Sequence, residues 1–177
     1  SPVVHLASHL GDKPVWREDI LGFVPGDAPQ KRVCVGGING VYRLGDSLAD
    51  GFEGGVRAAC EAGFKAVEGV LPKALNHHQE PTLALFHVPH EKGTARAPKQ
   101  FVDLQNDVTA AAIELATREG FESVEHVKRY TALGFGTDQG KLGNVNGLAI
   151  AARSLNVSIP QMGTTMFRPN YTPVTFG

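Results

Sequence analysis

Two stretches of the chain hold residue types and spacings that could do chemistry. In the first, Val33-Cys34-Val35 runs into Gly36-Gly37-Ile38-Asn39-Gly40, and an amphipathic segment follows from Asp46. An apolar strand, a glycine turn and a helix start, in that order, make a dinucleotide site, because free backbone amides at the positive helix end face the phosphates. Gly36, Gly37, Asn39 and Gly40 are its candidate residues; an ordinary strand–helix connection would read the same way. The Gly-x-Gly-x-x-Gly turn that opens such a domain does not occur in the sequence, so this is half a site. The second comprises two segments far apart in the sequence, Asp103 with Gln105 and Asn106, and the Gly-rich turn Thr137-Asp138-Gln139-Gly140-Lys141. Hydrogen-bonding groups with one cation suit a phosphate-bearing ligand, which Lys141 and the Gly140 amide can meet. The same groups also suit one another as hydrogen-bond partners.

The elements that must position these groups follow from pattern. Val3 to Ser8 reads as a short strand. Pro14–Arg17 and Gly22–Pro25 read as two extended pieces around the acidic turn at Glu18-Asp19. Arg32 to Gly36 reads as a buried strand of a covered sheet. A helix is expected over about Asp46 to Ala62, with Leu48, Phe52, Val56, Ala59 and Cys60 on one face. Gly51, Gly54 and Gly55 weaken that helix by about 1 kcal/mol each relative to Ala, which close packing on a sheet would offset. Gly63 ends it. Residues 68–100 read as a connector with one strand, Thr82 to Val88. Its His77, His78, His87 and His90 lie in Pro-containing loop sequence without metal-ligand spacing and read as solvated.

From Phe101 the pattern is helical. Thr109 is an N-cap, and Ala112, Ile113, Leu115 and Ala116 form the buried stripe up to Gly120. Ser123 caps the next helix, with Val124 and Val127 inward. The charged run Glu125 to Tyr130 is a solvated face or a docking face. A third helix spans Asn146 to Leu155, with Leu148, Ala151, Ala152 and Leu155 inward. Ser158-Ile159-Pro160 opens a last short one. After Met166 an extended segment is expected.

Composition sets bounds. The formal net charge is −1, and no run of Lys or Arg exceeds two, so neither a nucleic acid nor a membrane surface is expected as a partner. No apolar run approaches the roughly 18 residues of a membrane span. The two cysteines, Cys34 and Cys60, form no short-spaced motif and fit a reduced, cytoplasmic setting. Glycine is abundant, 21 of 177 residues, and clusters at the two candidate turns. No Ser–His–Asp or Cys–His arrangement can be argued, so no catalytic residue and no metal ligand is assigned.

Asp103-Leu104-Gln105-Asn106-Asp107-Val108-Thr109, Ser123 to Thr131, Thr137 to Lys141 and Thr164-Thr165-Met166-Phe167-Arg168-Pro169 together resemble the alpha subunit of heterotetrameric sarcosine oxidase. The resemblance runs from Ser1-Pro2-Val3-Val4-His5-Leu6 to Tyr171-Thr172-Pro173-Val174-Thr175-Phe176-Gly177. Residues 101–165 also resemble the small helical iron–sulfur module of bacterioferritin-associated ferredoxin. There the four cluster-ligand positions fall on Asp103, Gln105, Asp138 and Gly143, which cannot supply the thiolates a 2Fe–2S cluster needs. The resemblance implies an α+β chain: a partial nucleotide-binding β/α layer, then a ferredoxin-like helical module without cluster. Its parts would be residues 1–67, the end of a nucleotide-binding domain; 68–100, the connector; 101–165, the helical module; and 166–177, a linker to a folate-binding domain absent here.

Also implied are an NAD half-site lined by Gly37, Tyr42 and Leu44, and a flavin mononucleotide site between the alpha and beta subunits, faced by Asp103, Gln105, Asn106 and Thr137 to Lys141, with Asp138 and Gln139 among them. The strand-end Asp that holds a flavin ribityl chain in related folds is replaced by Gly37. The parent complex would contain beta, gamma and delta subunits, with FAD and tetrahydrofolate bound outside this segment. It would oxidise sarcosine to glycine, yielding hydrogen peroxide and formaldehyde or methylene-tetrahydrofolate. A subunit of a related amine, opine or proline dehydrogenase, or a docking scaffold without cofactor contacts, are the alternatives.

Overall fold

The computed structural model describes residues 3–9, 11–65 and 69–165. The expected extended segment after Met166 lies outside them. Among the described residues, helices combine with two small antiparallel sheets, an α+β composition. It divides into two compact units, Ser1–Leu83 and Ala84–Gly177.

Unit 1 opens with a single helical turn, α1 (His5–Ser8), where the pattern suggested a strand. Helical spacing wins because it buries Val4 together with Ala7 and Ser8, while Leu6 stays exposed. Strands β1 (Val15–Arg17) and β2 (Gly22–Val24) pair as the expected hairpin, with Trp16 opposite Phe23. Their rings meet edge to face with centroids 5.1 Å apart. Asp12, wholly buried, receives the Arg32 guanidinium at 2.8 Å and the Gly26 amide at 3.2 Å. That guanidinium holds the Asp12 carboxyl below its ordinary range.

The expected strand at Arg32 to Gly36 does not form. Val35 has extended dihedrals (φ −140°, ψ 156°), but no strand pairs with it among the described residues. A strand needs a neighbour as well as an apolar sequence, and the described residues of unit 1 supply none there. A 3-10 turn at Gly36–Asn39 leads to α2 (Leu44–Glu61), which begins two residues earlier than expected. Gly63 (φ +88°) closes α2: its amide donates to Cys60 O, and that of Phe64 to Ala59 O. The expected close packing holds for Gly54, where a Cβ would collide with Val35 Cγ1. It does not hold for Gly51 and Gly55, whose Cβ positions meet nothing within 4 Å.

Unit 2 contains a hairpin that the helical reading missed, β3 (Phe101–Asp103) with β4 (Val108–Thr109). Three and two residues are too few for a period-2 pattern to show. Then follow α3 (Ala110–Arg118), α4 (Val124–Thr131), α5 (Asn144–Ser154) and α6 (Ile159–Met162). Thr109 caps α3 through its hydroxyl, and Ser158 makes a capping box with Gln161. Ser123 stands at the start of α4 without a side-chain cap bond. The α3 stripe is Ala110, Ile113, Ala116 and Thr117; Ala112 and Leu115 are only half-buried. On α5, Leu148, Ala151 and Ala152 are buried as expected, and Leu155 is half-buried. Residues 82–88 form no strand. None of the described helices is long and apolar enough to cross a membrane.

Candidate functional site

The turn between β3 and β4 and the Gly-rich turn after α4 meet in space. Asp103, 7% exposed, makes the junction. Its Oδ1 accepts from the Gln105 and Asn106 amides at 2.8 and 3.1 Å, and its Oδ2 from the Gly134 amide at 2.8 Å. A carboxylate accepting three backbone N–H groups is a strong crosslink between two loops. The Gln105 Oε1 accepts from the Asp138 amide at 3.3 Å. Any side chain at Gly136 would run into Gln105, and a Cβ at Gly143 would stand 2.5 Å from Val102 O. The four positions Asp103, Gln105, Asp138 and Gly143 therefore converge, and the space among them is filled by the Asp103 carboxylate, the Gln105 side chain and hairpin backbone.

The Gly-rich turn is also tied within itself. Asp138 accepts from the Gly140 and Leu142 amides, each at 3.2 Å. Gln139 donates to Gly136 O at 3.0 Å, and Lys141 Nζ to Asp138 O at 3.4 Å. Beneath it, Asn144 is buried against Gly134 and Gly140 and donates to Thr165 Oγ1 at 2.7 Å. Burial lowers the Lys141 ammonium from its ordinary value, and the nearby Asp138 charge opposes that.

The candidate residues thus separate. Asp103 and the Asp138 carboxylate turn their oxygens to the backbone. Gln105 and Asn106 are exposed, and Thr137, Gln139 and Lys141 are half-exposed. Leu104, Phe135 and Leu142, next to these residues in sequence, are exposed apolar side chains at 79%, 49% and 83%. Lys128 stands 5.7 Å from the Phe135 ring centre, a cation–π contact from α4.

The candidates of unit 1 lie along the 3-10 turn. The Gly36 amide donates to Asp50 Oδ2 at 2.6 Å, and Asn39 Nδ2 to Cys34 O at 2.5 Å. Arg17 Nη1 ties the hairpin to Asn39 O at 3.1 Å. At the start of α2 the Gly45 amide donates to Asn76 Oδ1 at 2.8 Å, and Asn76 Nδ2 to Asp46 Oδ1 at 2.7 Å. Amides that would face a phosphate are thus held by the chain's own side chains. Gly40 and Tyr42 line a cleft of about 320 Å³ with Ile20, Arg43, His78 and Glu80. Burial raises the Tyr42 phenol, and the Arg17 charge acts the other way. Leu44 is 63% exposed, and a Cβ on Gly37 would meet only the Tyr42 ring, at 3.9 Å.

Sequence reasoning missed one polar cluster. His87, expected to be solvated, lies 2.5 Å from Gln100 Oε1 and 2.7 Å from Arg153 Nη2. Arg153 pairs with Glu114 at 2.9 Å. No local signal announces it, because its members come from residues 87, 100, 114 and 153. Among the described residues, no three His, Cys, Asp or Glu gather as a metal site.

Residues 97–177 match a family model described as the sarcosine oxidase A3 domain. The chain is 38% identical over 177 residues to sarcosine oxidase subunit alpha of Rhizobium meliloti (strain 1021), covering 99% of this chain and 17% of that protein. It is 38% and 39% identical to the alpha subunits of Corynebacterium sp. strains P-1 and U-96, covering 99% of this chain and 18% of each of those proteins. On these matches the chain is similar, over nearly its whole length, to a segment of sarcosine oxidase alpha subunits that spans 17–18% of the length of the relatives it matches.

Proposed function

We propose that this segment serves a sarcosine oxidase as a holder of cofactor surfaces, with no bond-making residue of its own. The parent enzyme would oxidise the N-methyl group of sarcosine. With oxygen and water as co-reactants, glycine, formaldehyde and hydrogen peroxide result; tetrahydrofolate would take the one-carbon unit as methylene-tetrahydrofolate instead. Beta, gamma and delta subunits would supply the remaining sites, FAD among them, in a cytoplasmic heterotetramer.

The observation that carries this reading is the crosslinked pair of turns in unit 2. Asp103 fixes the backbone; Gln105 and Asn106 are exposed, Thr137, Gln139 and Lys141 are half-exposed, and Gln105, Gln139 and Lys141 also bond within the turns. Fixed amides and hydroxyls with one cation fit the polar rim and phosphate of flavin mononucleotide, whose redox chemistry belongs to the flavin itself. Asp103 would be a positioning residue for this site. For NAD the fit is partial. The amides of Gly36 and Gly45 are already engaged by Asp50 and Asn76, so this chain would contribute at the nucleoside, in the cleft beside Gly40 and Tyr42.

The test is Lys141→Met in the full complex, with both flavins quantified after release. Flavin mononucleotide content should drop at least several-fold while FAD content stays. Full content of both flavins would reject the pocket. It would favour a second reading, a subunit-docking scaffold, which the exposed Leu104, Phe135 and Leu142 support.

A further inference from the structure

One cavity lies wholly within unit 2, and none of the crosslinked turn residues lines it. It holds about 360 Å³. That is within the range of small-molecule sites, about 300–1,000 Å³. Its apolar lining comes chiefly from Ala84 and Phe86 on one side, and from Ala149, Ile150, Ala152 and Ile159 of α5 and α6 on the other.

Three polar side chains also line it: His87, Arg153 and Ser158. Two of them have spent their donors. The Ser158 hydroxyl gives its one hydrogen to Gln161 Oε1 at 2.8 Å. Both His87 ring nitrogens are engaged, Nε2 with Gln100 Oε1 at 2.5 Å and Nδ1 with Arg153 Nη2 at 2.7 Å. Arg153 differs. Its Nη2 serves His87 and also Glu114 Oε1 at 2.9 Å, but among the described residues its Nε and Nη1 form no hydrogen bond.

The guanidinium is thus held at one nitrogen and open along the edge formed by the other two. Glu114 is itself fixed, because the same Oε1 accepts from Thr94 Oγ1 at 2.9 Å. A planar fork with two parallel N–H groups matches the two oxygens of a carboxylate. Being held before a ligand arrives, it loses little freedom on binding one. Glu114 offsets part of the Arg153 charge, and the Arg153 side chain is 52% exposed, so an ion alone gains little there. Affinity must come from an apolar body in the cavity, with the charge choosing among bodies of the same shape.

We propose that this cavity is a binding site for a small monocarboxylic acid with an apolar body. The body lies against Phe86, Ile150 and Ala152, and the carboxylate meets Nε and Nη1 of Arg153. Glu114 and His87 are positioning residues, acting through the guanidinium.

The test uses three probes on the full chain, followed by the methyl signals of Ala149, Ile150 and Ala152. Phenylacetate, ionised at about pH 7.5, should bind with a Kd of about 1 mM or tighter. Phenylacetamide has the same shape without the charge and should bind about tenfold more weakly. Acetate has the charge without the body and should not saturate. Arg153→Met keeps an apolar stem and removes the fork. It should weaken phenylacetate about tenfold and change phenylacetamide less than about twofold. No saturable binding of phenylacetate, equal affinity for the acid and its amide, acetate as strong as phenylacetate, or an unchanged phenylacetate affinity in Arg153→Met each overturns the proposal. Nuclear Overhauser contacts from the phenyl ring to the Ile150 and Ala152 methyls in the unmutated chain should place the ligand. Contacts only to residues outside the cavity overturn it even if the variant fails to fold.

Discussion

In unit 2, Ile113, Leu133, Leu148 and Ile150 are each no more than 1% exposed, on two helices and the turn that leads into the second. In unit 1 the buried apolar side chains among the described residues are Val4, Ala7 and Phe23, all near its hairpin end. Its 18-residue helix α2 buries one residue, Gly54. Similar stretches of chain thus reach different ends. Unit 2 closes its apolar faces on one another, while unit 1 lays a helix against an extended stretch that has no strand beside it among the described residues. Hydrophobic patterning alone does not separate the two cases, because burial depends on what a face finds to pack against.

The widest gap between the units should appear on truncating a core side chain. Ile113→Ala should cost about 3 kcal/mol in denaturant unfolding of unit 2, whereas Leu48→Ala on half-buried α2 should cost under about 1 kcal/mol. Equal losses would break the comparison. Next in size is Asp103→Ala, which strips three backbone amides of their acceptor at a buried position. It should destabilise unit 2 by roughly 2–3 kcal/mol and raise amide exchange at Gly134 in particular. A loss below about 0.5 kcal/mol would show that the two turns hold together without it.

The turns and caps of this fold were legible because their causes are local. The hairpin around Glu18-Asp19, the Thr109 cap, the glycine ends at Gly63 and Gly120 and the start at Ser158-Ile159-Pro160 each lie within a few residues of their cause. The expected strands at Val3–Ser8, Arg32–Gly36 and Thr82–Val88 were not decided locally. Each had suitable residues, but among the described residues no neighbour completes a ladder there. At the candidate site, the pairing of the 103–106 and 137–141 segments was legible through the family resemblance. That Asp103 turns inward while Gln105 faces out was not, since it depends on the Gly134 amide 31 residues away.

The smallest effect separates the glycines of α2. Gly51→Ala and Gly55→Ala should each raise helix stability by up to about 1 kcal/mol, as their Cβ positions meet open space. Gly54→Ala should lose stability instead, because its Cβ would collide with Val35. If Gly51→Ala destabilises the chain, its open face is covered in solution, and the contrast between the units is smaller than drawn here.

The close approach of Gly143 to the Val102 carbonyl works as an evolutionary ratchet. With 2.5 Å between a Cβ there and that oxygen, no single substitution can put a side chain at position 143 while the hairpin stays where it is. Asp103 holds the hairpin in place, so each residue guards the other's identity. A side chain at 143 would require the hairpin to shift, and that shift would strain the bonds through which Asp103 holds it.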